Sequence, residues 1–118
     1  MQRVFQISLL LLSLCHTDLV TAHAVVTDYS LTITPIHASR QDKVELSFNS
    51  KIEIGLSQVF LVRKGDKHEL LPIAKGNKQG QMIVVIPPLE SGDYALRFKV
   101  FAADGHLTED VIHFTVAP

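Results

Sequence analysis

Hydrophobic and polar residues alternate along much of this chain with a period of two, the spacing of strands with one buried face. Val44, Leu46 and Phe48 alternate with Lys43, Glu45 and Ser47. Tyr94, Leu96, Phe98 and Val100 alternate with Ala95, Arg97, Lys99 and Phe101 in a longer strand. Ile112, Phe114 and Val116 form the last strand and put His113 on its solvent side. Gln58–Arg63 is β-rich, and Lys64-Gly65-Asp66-Lys67 after it reads as a hairpin turn. Residues 69–73 are the expected return strand, with Pro72 marking an edge or a strand end. Residues 76–80 form a polar loop, residues 82–86 a continuous apolar strand stopped by Pro87-Pro88, and Ser91-Gly92-Asp93 a turn. An early strand around residues 31–34 brings the total to about seven. No stretch sustains a helical period. Short strands at regular spacing predict an all-β fold, a β-sandwich or a small Greek-key barrel.

The first residues do not belong to that pattern. Arg3 precedes an apolar run at residues 7–14, and Val20-Thr21-Ala22 supplies the small-residue ending that a signal peptidase cuts. The run is far shorter than the ~20 residues of a membrane span. Residues 1–22 are therefore read as a secretory signal peptide, leaving residues 23–118 as a single mature domain that begins at His23. The one cysteine, Cys15, lies in the leader, so the secreted domain must hold together by its core without disulfides. The 11 basic and 12 acidic residues of the whole chain are scattered along it. That argues against a nucleic-acid partner, which calls for a basic patch. No later apolar run reaches membrane length, so a soluble monomer with no membrane span is expected.

The new N-terminus changes the picture. A first-position histidine offers its α-amine and its imidazole Nδ1 together, enough to close a chelate ring on a metal ion. Asp104-Gly105-His106, between the last two strands, adds a carboxylate and a second imidazole. Two imidazoles, an amine and a carboxylate suit a tetragonal Cu(II) ion, which the Irving–Williams order also favours over zinc or nickel. Taken alone, each part is ordinary: Asp-Gly is a common turn dipeptide, and a neighbouring His is usually solvated. The combination is specific, and it requires the first strand to run beside the loop joining the last two. His37, in a loop before the second strand and within reach of the first, is the remaining histidine of interest. His68 and His113 read as surface residues.

The mature chain resembles the CopC family of periplasmic copper-binding proteins, which includes the YobA proteins. His23-Ala24 follows the cleavage site where the family has a His-Ala or similar start. V-E-L-S-F-N-S-K-I-E from Val44 is similar to the family strand that ends F-S-E-P-V-E. P-L-E-S-G-D-Y from Pro88 resembles its P-L-x-x-G-x-Y, and Y-A-L-R-F-K-V-F-A-A-D-G-H from Tyr94 its Y-x-V-x-W-x-V-x-S-x-D-G-H. Phe114-Thr115-Val116 matches its closing F-x-V. The resemblance implies an immunoglobulin-like or cupredoxin-like β-barrel. It also implies a Cu(II) site at His23, Asp104 and His106, a role in copper buffering or delivery, and a copper-transporting inner-membrane protein as partner.

Four positions depart from the family pattern. Val25 stands where many members have a second histidine, Ser50 where some have a glutamate near copper, and Phe98 where the family has tryptophan. Met82 is the one methionine left after cleavage, and it sits in an apolar strand. A Cu(I) site selects soft thioether ligands, so none of that kind is expected, and Met82 reads as a core residue. Two rival functions remain at this point. An N-terminal histidine chelate also forms the ligand core of copper polysaccharide oxygenases, although a carboxylate ligand and so small a domain do not suit that chemistry. A metal-free immunoglobulin-like interaction module is the other.

Overall fold

The computed structural model describes residues 26–29 and 36–118. Nine strands lie among them: β1 (Val26–Tyr29), β2 (Ile36–His37), β3 (Asp42–Phe48), β4 (Gln58–Arg63), β5 (Lys67–Leu70), β6 (Ile73–Lys75), β7 (Gln81–Ile86), β8 (Gly92–Phe101) and β9 (Leu107–Ala117). They form two sheets, one ordered β1-β3-β7-β6 and the other β2-β9-β8-β4-β5. All pairings are antiparallel except β2 with β9. The fold is a β-sandwich.

The period-two positions meet between the sheets. Val44, Leu46 and Phe48 of β3 and Met82, Val84 and Ile86 of β7 are buried on one side. Val59 and Leu61 of β4, Leu96, Phe98 and Val100 of β8, and Ile112, Phe114 and Val116 of β9 are buried on the other. Burying each such side chain contributes roughly 1.5–3 kcal/mol, so these fourteen carry the stability of the disulfide-free domain. Phe98 fills the centre and meets Phe48 edge to face, with ring centroids 5.9 Å apart. Met82 is fully buried in the same cluster, a core residue as its strand predicts.

The structure corrects the strand count and one strand boundary. Residues 69–73 are not one return strand. The hairpin partner β5 ends at Leu70, and β6 starts at Ile73 in the opposite sheet. Between them Leu71 is buried and donates its N–H to the Val59 carbonyl at 2.9 Å, while the Pro72 carbonyl accepts from Val85 N–H at 3.0 Å. Pro72 has no N–H to continue a ladder, so the chain leaves one sheet there and joins the other. His37 lies in β2 rather than in a loop, beside Ala117. The strand expected at residues 31–34 lies outside the described residues.

One glycine fastens the end of β3. Phe48 N–H donates to the Gly80 carbonyl at 2.7 Å. Gly80 has φ +77°, and a Cβ there would approach the carbonyl oxygens of Phe48 and Ser50 to 2.8 Å. Both backbone strain and backbone contact oppose a side chain at this position. Gly80→Ala should lower the unfolding free energy by about 1–3 kcal/mol. A urea titration would show this as a lower midpoint with an unchanged slope.

Candidate metal centre

β8 and β9 form the longest hairpin of the molecule, paired from Gly92↔Val116 to Phe101↔Leu107. Residues 102–106 are its tip. The turn is closed by Gly105 N–H to the Ala102 carbonyl and by Ala102 N–H to the His106 carbonyl, both 2.9 Å. Gly105 takes φ +91°, which lets the chain reverse between Asp104 and His106. The tip is also tied to the segment leaving β3. Ala103 N–H donates to the Lys51 carbonyl at 2.9 Å, Glu53 N–H to the Phe101 carbonyl at 2.8 Å, and Ile52 bridges Ala102.

Asp104 and His106 therefore face each other across one glycine. Asp104 Oδ1 accepts the backbone N–H of His106 at 3.1 Å, an Asx-type turn bond. Asp104 Oδ2 lies 2.9 Å from His106 Nδ1. A carboxylate only accepts, so this contact favours the proton on Nδ1 and makes Nε2 the acceptor nitrogen of the ring. Both side chains are a little under half exposed, at 46% for His106 and 41% for Asp104. The tip thus presents an oriented imidazole and a carboxylate to solvent.

Among the described residues, no group of three or more His, Cys, Asp or Glu side chains is arranged to hold a metal ion. A complete site needs a further ligand, and His23 lies outside the described residues. The chain entry is nevertheless informative. Val26 opens β1 opposite Phe48, where β3 leads into Lys51 and the hairpin tip. β1 therefore starts at the end of the sandwich that carries Asp104 and His106.

The other histidines sit elsewhere. His37 pairs with Ala117, and the eleven residues of β9 separate that end from the tip by about 35 Å. It is not a companion of Asp104 and His106. His68 bonds Asp66 at 2.7 Å beside the β4–β5 turn, also at the far end. His113 is exposed, as its phase in β9 predicts. What the sequence did not reveal is the backbone tether from Lys51, because a carbonyl contact across fifty residues leaves no mark in residue type. Ser50, beside that tether, has a buried Oγ with no hydrogen-bond partner among the described residues.

A family model for the CopC domain matches residues 32–117. The chain belongs to the CopC family. The match includes Asp104 and His106 but begins after His23. The fold is similar to that of CopC from Methylosinus trichosporium OB3b, with a TM-score of 0.66 and 26% identity over 81% of this chain and 95% of that one. It is also similar to PcoC from Escherichia coli, described as a methionine-rich copper resistance protein, with a TM-score of 0.61. That likeness covers 80% of this chain and 99% of PcoC at 22% identity, and it bears on the fold. No curated protein matches the chain. Within this CopC-family chain, methionine is scarce: two occur in the sequence, and Met82 is sealed in the core.

Proposed function

We propose that this chain is a periplasmic copper-homeostasis protein that carries Cu(II) on His23, Asp104 and His106. The observation that carries the reading is the Asp104–His106 pair at the tip of the β8–β9 hairpin, held together by the Nδ1 contact and the Asx-type bond with both side chains partly exposed. Membership of the CopC family and the likeness to a copper resistance protein support copper as the cargo. Imidazole, amine and carboxylate donors are the set a tetragonal Cu(II) ion takes. His23 supplies the amine and one ring, His106 the second ring, and Asp104 a carboxylate oxygen when it releases Nδ1. The start of β1 at the same end of the sandwich supports the approach of His23, since three extended residues reach ~10 Å. Copper is cargo in this reading rather than a catalytic centre, and a copper-transporting membrane protein is the recipient. No helix among the described residues is long and apolar enough to cross a membrane.

Mass spectrometry of the exported protein tests the first requirement, cleavage after Ala22. A Cu(II) competition titration then tests the ligands. Protons compete with metal for amines and imidazoles, whose reference pKa values are ~7.7–8.0 and ~6.5. Copper affinity should fall steeply from pH 7 to 5, with the far-ultraviolet circular dichroism unchanged. A flat affinity over that range would rule out amine and imidazole ligation. Affinity that follows unfolding would place the effect in the fold as a whole.

A further inference from the structure

The outward face of the five-stranded sheet carries an exposed apolar row among its polar residues. Cross-strand register defines one row of outward residues: Val111 of β9, Arg97 of β8, Phe60 of β4 and Leu70 of β5. Val62 and Ala95 lie in the next row with His68 and His113, and beyond the Lys99–Glu109 row on the other side Leu107 pairs with Phe101 at the hairpin tip. Val111 and Leu107 are each 43% exposed, and Leu70 57%. On the opposite sheet the outward residues are mixed as well, Lys43, Glu45 and Ser47 of β3 beside Ile83 and Val85 of β7.

Arg97 occupies the centre of this patch. Its guanidinium lies 4.6 Å from the centre of the Phe60 ring. Its Nε is buried, and among the described residues it has neither a hydrogen-bond partner nor a paired carboxylate. The neighbouring cation on this face, Lys99, is neutralised by Glu109 at 3.7 Å. An arginine with no carboxylate partner, stacked on an aromatic ring between apolar residues and beside a closed ion pair, has the anatomy of a binding hot spot.

We infer that this face docks a partner protein that places a carboxylate against Arg97 among apolar side chains. Charge complementarity selects that partner over a second copy, because a two-fold axis through the patch brings Arg97 toward Arg97. The face also runs into the candidate metal centre, since Leu107 follows His106 directly. A partner seated here covers one flank of the hairpin tip. The face itself does not depend on copper.

The test uses the metal-free mature chain and a minimal probe of the same chemistry, 4-phenylbutyrate, with uncharged 4-phenylbutyramide as control. Amide resonances are followed by 15N–1H correlation spectroscopy. Shifts should centre on Phe60, Arg97 and Val111, and the carboxylate should bind about tenfold more tightly than the amide. Arg97→Gln should erase that difference, while Val111→Lys, at an exposed position that does not threaten the core, should weaken both probes. Equal binding of the two probes, or shifts centred instead on Lys51, Lys75 and Lys78, would overturn the inference. So would a concentration-dependent dimer in sedimentation velocity that Val111→Lys abolishes, since the face would then belong to a second copy.

Discussion

A chain with one extra residue before His23 is expected to bind Cu(II) at least a hundredfold more weakly than the cleaved chain, roughly 3 kcal/mol or more. An α-amine is a basic ligand, and its ring with Nδ1 is preorganised. Once the nitrogen becomes part of a peptide bond, it is no longer basic, and the chelate ring is lost with it. The extension lies outside the sandwich, so the fold and the thermal midpoint should not change. Competition against a chelator of known affinity measures the effect directly. Equal affinity for the extended and native chains would remove the amine from the site and with it the reason for placing His23 there.

His106→Ala should abolish tight Cu(II) binding with almost no loss of stability. The side chain is nearly half exposed at a hairpin tip, and the Ala102, Gly105 and Lys51 backbone bonds that hold the tip do not involve it. Electron paramagnetic resonance should show fewer nitrogen couplings on the copper that remains bound. A spectrum identical to that of the native protein would exclude His106. Asp104→Ala is expected to be milder at the metal, since an imidazole is the better equatorial ligand for Cu(II). It should also free the His106 ring, because both carboxylate oxygens hold that residue in place.

Much of this architecture was legible in the residues because burial in a sandwich follows the strand period. Lys43 to Phe48 and Tyr94 to Phe101 announced both their strands and their inward faces, and the family match spans both segments. Local chemistry was legible as well: Asp-Gly-His places a carboxylate and an imidazole on either side of a turn residue. What resisted reading depends on distant partners. Pro72 signalled an interruption, but only the packing of Leu71 under β4 shows that the chain changes sheets there. Parallel pairing of the two-residue β2 with β9 carries His37 to the far end, and no local pattern encodes that. Likewise, Phe60, Leu61 and Val62 form an unbroken apolar run. Such a run predicts a strand without saying that Phe60 and Val62 face outward.

The change of sheet at Pro72 has a further consequence for how this protein behaves when concentrated. It divides what would have been one long margin into β5, of four residues, and β6, of three. The remaining margins, β1 and β2, have four and two residues. A strand can recruit another chain only along unpaired backbone groups, and short stretches give an incoming strand few hydrogen bonds to form. The long strands β7 and β8 lie between neighbours, but β9 meets β2 only at Val116 and Ala117, so among the described residues its outer side from Leu107 to Thr115 has no partner strand and is a longer margin than any of these. A domain without disulfides unfolds transiently more often than a stapled one. In this fold, the short margins offer such an opened chain few hydrogen bonds, and the outer side of β9 is the stretch on which a cross-β assembly can start.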